Sequence, residues 1–155
     1  MKIVIASDHA GFNLKKSIIE YLNSDIIITE LKSILKENET IEVFDLGCND
    51  TTRCDFPCYA KSLCNKMNSD YSINYGILVC GSGIGMSMAA NKIKGIRCAL
   101  CRSSFDAQMS RQHNNANVIA LGERVTGIDL ALNIITTFLQ HNFLKGRYQE
   151  RMSQI

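Results

Sequence analysis

Apolar positions in this chain fall into short runs separated by longer stretches at helical spacing. Five runs read as strands: Lys2 to Ser7, Ile41 to Leu46, Ile73 to Cys80, Ile96 to Cys101 and Asn117 to Leu121. Several do not alternate apolar with polar, as expected of strands covered on both faces. Helical patterns run from Asn13 to Leu22, Pro57 to Met67, Gly85 to Ile93, Ser104 to His113 and Ile128 to Gln140. A tail helix follows over Arg147 to Met152, within residues 146–155. Strand and helix in alternation predict βαβ units, a five-stranded parallel sheet and an α/β fold. Pro57, the only proline, suits a first helical turn. Residues 23–40 carry Ile27, Leu31, Ile34 and Leu35 at helical spacing. They predict an extra helical insertion on the return from the first helix, away from the carboxyl ends of the strands.

Composition narrows the class. With 155 residues, 46% of them hydrophobic, the chain suits one domain, residues 1–155. Its 17 basic against 15 acidic residues give a net charge of +2 and exclude the basic excess of a nucleic-acid surface. No run approaches the ~18 apolar residues of a membrane span, and the opening MKIVIASDHAG is too short in apolar residues for a signal core. A cytoplasmic protein with no membrane partner is expected. Seven cysteines, an odd number, then read as reduced thiols. Cys54 with Cys58, and Cys98 with Cys101, have zinc-like spacings. The second pair lies in a strand pattern, where residues three apart face opposite sides, so no metal site is expected.

The candidate chemistry lies where strands end. The run YGILVCGSGIG, Tyr75 to Gly85, ends a strand on Cys80 and opens into three alternate glycines. The backbone amides of Gly81, Ser82, Gly83, Ile84 and Gly85 are sited to meet an anion at the start of the next helix. Such a positive field favours a thiolate. Asp8 and His9 follow the first strand, Arg124 follows the fifth, and His113 and Asn114 end the helix after the fourth. Ligands of open parallel sheets bind at the carboxyl ends of strands, so these residues are expected to share one edge. Arg147 and Arg151, four apart, share a helical face suited to a phosphate. Plain structural readings remain for each: Asp8 as a helix cap, Cys80 as an apolar filler, His113 at a helix end, the arginines as a solvated tail. The loop is not a dinucleotide fingerprint, because Met86 stands where a third glycine belongs. Cys80 breaks the nucleophile-elbow pattern, and no GK[ST] follows.

SDHAG, DFPCYA, CGSGIGMSMAANK, GIRCAL, SRQHNNANV, LGERV and GRYQERM, taken in order, closely resemble ribose-5-phosphate isomerase B over the whole chain except residues 23–40. The resemblance implies a Rossmann-like three-layer sandwich and interconversion of ribose 5-phosphate with ribulose 5-phosphate, without metal or organic cofactor. It implies Cys80 as the base between the first and second sugar carbons and His113 in opening the furanose ring. Asp8 and Ser82 resemble the ring-opening and hydroxyl-orienting partners. His9, Tyr59, Asn114, Arg124, Arg147 and Arg151 resemble the sugar-phosphate ligands, and Gly81, Gly83, Ile84 and Gly85 the anion hole. The family's other base is a glutamate just after the third glycine. Met86 stands there, and a thioether accepts no proton near neutrality, which leaves Cys80. The family shares active sites across a homodimer; dimer and tetramer both stay open for this chain. So do a six-carbon sugar phosphate, galactose 6-phosphate or allose 6-phosphate, as substrate, and a non-catalytic phosphosugar-binding module.

Overall fold

The computed structural model describes all of residues 1–155. Strands β1 (Lys2–Ser7), β2 (Glu42–Asp45), β3 (Tyr75–Cys80), β4 (Cys98–Leu100) and β5 (Val118–Gly122) form one parallel sheet in the order β2-β1-β3-β5-β4. A short 3-10 turn, His9–Gly11, leads into α1 (Phe12–Leu22). Helices α2 (Asp25–Glu30), α3 (Phe56–Ser69), α4 (Ile84–Ala90), α5 (Ser104–Gln112), α6 (Ile128–Gln140) and α7 (Arg147–Met152) complete the chain.

Alternate residues of the central strands feed two cores. Ile3, Ile5, Ile77, Val79, Ile119 and Leu121 pack with residues of α1, α2, α5 and α6. Val4, Ala6, Leu78, Cys80, Val118 and Ala120 pack with α3 and α4 on the other face. A strand buried on both faces has no polar side to display, which is why these runs read as continuous in sequence. The chain leaves β1 toward β2 and leaves β3 toward β4, so its direction of winding reverses between β1 and β3. A crevice opens at the carboxyl ends of strands beside such a reversal.

Helix α4 and strand β4 are shorter than their patterns predict for one reason. Helix α4 stops at Ala90, short of Ile93, and β4 spans only Cys98–Leu100. The Asn91 side chain accepts from the Cys98 amide and donates to the Cys98 carbonyl, both at 2.8 Å. One amide side chain thus ends the helix and occupies the outer backbone groups of an edge strand.

Residues 23–40 dock onto α1 and α6. Ile27 and Leu31 are fully buried in the first core. Around them Tyr21 donates to Glu30 and lies 2.5 Å from Thr136 Oγ1, while the Thr136 hydroxyl donates to Glu30 at 3.1 Å. Gln140 Nε2 reaches the Glu30 carbonyl at 3.1 Å. Only α2 is helical; Leu31 onward proceeds in turns, with Asn38 at φ 63.

Ile27→Ala is expected to cost about 2–5 kcal/mol in urea unfolding, whereas Ile26→Ala, 61% exposed, should stay within about 0.5 kcal/mol. Equal effects would mean that the insertion does not dock as described. Burial, then the Glu30 carboxylate, pushes the Tyr21 hydroxyl up to about 12. A phenol raised in the folded state stabilises fully below its unfolded value of about 10 and progressively less as pH rises through its folded one. Tyr21→Phe should therefore flatten the loss of stability between about pH 10 and pH 12, read from urea midpoints across that range.

Candidate active site

At the carboxyl end of β3 the chain turns away in a tight loop. Gly83 has φ 77, a left-handed value that a Cβ would strain. Gly122, at the end of neighbouring β5, lies so close under the loop that a Cβ there would sit 2.5 Å from the Ser82 carbonyl carbon. The loop's carbonyls are held from behind: Glu123 N–H donates to Cys80 O at 2.9 Å and Arg124 N–H to Gly81 O at 3.0 Å. Its amides face the other way. Gly83 N–H donates to Cys80 Sγ at 3.1 Å and Ile84 N–H to Ser82 Oγ at 3.4 Å. The amides of Gly81, Ser82 and Gly85 donate to nothing within the chain. Unpaired amides in a turn before a helix form an anion-binding concavity.

Cys80 is 5% exposed. Its flank is apolar, with fully buried Met86 in the same cluster, but its sulfur holds a backbone amide.

Across the β1–β3 reversal, Asp8 N–H donates to Val79 O at 3.2 Å, and Asp8 Oδ1 caps the short turn by accepting from Ala10 N–H at 2.9 Å. Oδ2 makes no hydrogen bond in the chain and is not sealed from solvent. Asp8 thus serves as the cap of the plain reading with one oxygen to spare. His9 Nδ1 lies 3.2 Å from both the amide nitrogen and the carbonyl oxygen of Cys54, so the ring is held against the Cys54 backbone. Cys54 is the main influence that holds the Tyr59 hydroxyl above its usual pKa. The Arg124 side chain lies over Gly81, its Nε 3.3 Å from where a Cβ would stand. Asp8, His9, Tyr59, Cys80, Ser82, Gly83, Ile84 and Arg124 therefore gather around one edge.

His113, Asn114, Arg147 and Arg151 do not join them, which corrects the expectation of a single shared edge. Helix α5 leaves the carboxyl end of β4 and returns the chain to the amino ends, where Asn117 O accepts Gly76 N–H at 2.9 Å just before β5 begins. From Gly76 to Cys80 the strand alone advances ~13 Å. At the amino edge His113 stacks on Tyr148, ring centroids 4.1 Å apart and 10° from parallel. The Arg147 guanidinium donates to the Tyr148 hydroxyl at 2.9 Å, and Asn114 Nδ2 lies 3.8 Å from Met152 Sδ. A cleft of about 870 Å³ lined by Arg97, Asn114, Gln149 and Met152 opens on this side and does not reach Cys80.

Three contributors were not picked out from the sequence. Tyr148 organises His113 and Arg147, although GRYQERM contains it. Cys54 holds His9 and Tyr59. Arg111, buried at 6%, fixes the turn that carries His113: it donates to Asn115 Oδ1 at 3.2 Å, to Ala116 O at 2.5 Å and to His141 O at 3.2 Å. Arg97 Nε adds a bond to Asn115 O at 2.7 Å. A helix-end arginine looks solvated in sequence, and only its packing against Tyr75 and Phe138 reveals its task.

Residues 3–155 match the family described as Ribose/Galactose Isomerase. The chain belongs to that family. Ribose-5-phosphate isomerase B of Escherichia coli (strain K12) is 38% identical over 154 residues, covering 99% of this chain and 93% of the relative. Among solved structures of this isomerase family, ribose-5-phosphate isomerase B of Clostridium thermocellum superposes with a TM-score of 0.87 at 41% identity, covering 99% of this chain and 94% of that one. The Thermotoga maritima isomerase superposes with the same TM-score at 40% identity, covering 99% and 95%. The five-stranded parallel sheet is thus the family's Rossmann-like fold.

Proposed function

We propose that this chain interconverts ribose 5-phosphate and ribulose 5-phosphate in a homodimer, with Cys80 of one protomer and His113 of the other in each site. The observation that carries the reading is the Cys80 sulfur beside unpaired backbone amides, at the carboxyl edge between β1 and β3. Relatives named for this reaction, 38% identical or more over nearly the whole chain, support it.

The chemistry is a proton shift along two carbons. In the open-chain aldose the Cys80 thiolate takes the proton from the second carbon, and the electron pair moves onto the carbonyl oxygen to give a cis-enediolate. The amides of Gly81, Ser82 and Gly85 meet the charge that develops there, as preorganised donors that need no rearrangement during the reaction. The same sulfur returns its proton to the first carbon, and the hydroxyl proton moves from the second oxygen to the first. Ser82 orients the hydroxyls. Asp8, with its free Oδ2, and His113 assist ring opening. Met86 is fully buried and chemically unfit to replace the base.

Two separated half-sites fit an enzyme completed by its own copy. In a two-fold dimer each protomer gives its carboxyl-edge residues to one site and its His113, Asn114, Arg147 and Arg151 to the other. The arginines hold the phosphate and anchor the reacting carbons at the loop by remote binding energy. A metal has no part in this reading, so a chelator should leave turnover unchanged in an assay against ribose 5-phosphate, galactose 6-phosphate and allose 6-phosphate. Turnover of a hexose phosphate in place of the pentose would overturn the substrate assignment.

Cys80→Ser and His113→Ala should each be nearly inactive alone. Mixed after co-refolding in equal amounts, they should recover about a quarter of wild-type activity, since half the dimers are mixed and each has one intact site. No recovery would place both residues in one protomer's site. Arg147→Ala should weaken ribose 5-phosphate and inorganic phosphate alike, by on the order of 1.5–3 kcal/mol in inhibition and KM measurements, with kcat less affected. Unchanged phosphate inhibition would remove α7 from the phosphate site.

A further inference from the structure

The segment between β2 and α3 holds two thiols that isomerisation does not use. Cys48, 5% exposed, has its Sγ 3.5 Å from Ser7 Oγ and donates its N–H to Ser7 O at 3.1 Å. Cys54, half-buried, donates its N–H to His9 Nδ1 at 3.2 Å and has its Sγ 3.9 Å from the same nitrogen. Ser7 and His9 flank Asp8, so contacts to neighbouring residues bring the two cysteines to one place, where Cys54 adds to the burial that pushes the Cys48 thiol up. Lys15, 1% exposed, fixes one end by donating to Cys48 O at 2.9 Å and to both Asp45 oxygens at 2.7 Å. Between the thiols, residues 49–53 are exposed and free to adjust. No group of three His, Cys or carboxylate side chains converges here to hold a metal ion.

We propose that Cys48 and Cys54 are an oxidisable pair, closed into a disulfide by hydrogen peroxide, and that closure weakens sugar-phosphate binding by displacing His9 and Tyr59. The second half rests on the reading of those residues as substrate ligands given above. The Cys54 thiolate attacks one peroxide oxygen, the O–O bond breaks, and the departing oxygen leaves as water, so Cys54 becomes a sulfenic acid. The Cys48 sulfur, giving up its proton, then displaces the hydroxyl as a second water and forms the S–S bond. Two thiols are oxidised and one peroxide is reduced to two waters. The order follows from position: burial pushes the Cys48 thiol up and hides it, whereas Cys54 is reachable. A disulfide draws its Cβ atoms to ~3.8 Å, which moves the Cys54 amide off His9 and takes the thiol from Tyr59.

The test uses the full-length Cys80→Ser protein, so that oxidation of Cys80 plays no part. After hydrogen peroxide, intact mass should fall by two hydrogen atoms, with residues 48 and 54 in one cross-linked peptide. Calorimetry with ribose 5-phosphate should show Kd raised about tenfold, the loss of one hydrogen bond's worth of affinity, and dithiothreitol should restore it. Cys48→Ser in the same background should abolish both changes. Separate alkylation of Cys48 and Cys54 after peroxide, or a link from Cys54 to Cys58, overturns the pair. A Cys48–Cys54 link with unchanged Kd overturns its control of the site. If the untreated protein binds no ribose 5-phosphate, the substrate assignment fails, and the thiol pair still stands or falls by its mass and peptide.

Discussion

A helix that follows a parallel strand must carry the chain back to the edge where the next strand begins. This geometric requirement governs where chemistry sits in this protein. Residues at strand exits, Asp8, His9 and Cys80 to Gly85, share the carboxyl edge, whereas anything at the far end of a crossover helix arrives at the amino edge. His113 caps α5 and so belongs to the amino edge, with the sheet's length between it and Cys80. Tyr148 and Arg147 then reach it because the segment after α6 runs along the same side, with Leu144 N–H bonded to Gln112 O at 3.1 Å. A fold of this kind divides a reactive set in two, and a second copy is the simplest means of reuniting it.

The fold was largely legible in the residue pattern. Unalternating runs such as IVIAS and ILVC announce strands covered on both faces, and they are covered. The reactive loop was legible as well, since glycines at 81, 83 and 85 after a buried strand have few purposes other than close backbone approach. Hidden were features decided by contacts distant in sequence. Asn91 reads as a helical residue and instead ends α4 in favour of Cys98. Glu30, within residues 23–40, receives Tyr21 from α1 and Thr136 from α6. His113 lies away from Cys80 in the same chain because α5, which it caps, runs from the carboxyl to the amino edge of the sheet.

Buried cations carry much of the positioning. Lys15 sits below the carboxyl edge and holds Cys48 and Asp45, so the segment carrying Cys54 is anchored before it reaches His9. Arg111 plays the equivalent part at the amino edge with no carboxylate partner at all. Its guanidinium is met by carbonyls, the Tyr75 hydroxyl and two aromatic faces, 4.9 Å and 5.6 Å from the ring centres. Removing one partner of a buried charge leaves the other uncompensated, and so each acts as a strict local constraint. These clamps lie one layer behind the residues proposed to meet substrate, where they fix orientation without competing for the anion.

Under the reaction proposed above, that separation bears on how a thiolate base and a phosphate dianion would be kept apart. Were the phosphate bound at the Cys80 loop, its charge would oppose thiolate formation, because like charges a few ångströms apart raise the cost of ionisation. In the proposed dimer the guanidiniums of Arg147 and Arg151 would belong to the half-site that a partner supplies, at the far end of the sugar. The amides beside Cys80 carry partial positive charge without a counter-ion of their own, so they are left for the enediolate. In the proposed dimer the phosphate would meet the arginines of α7 and the enediolate the amides of the loop, with the Arg124 side chain, which lies over Gly81, a cation already beside those amides.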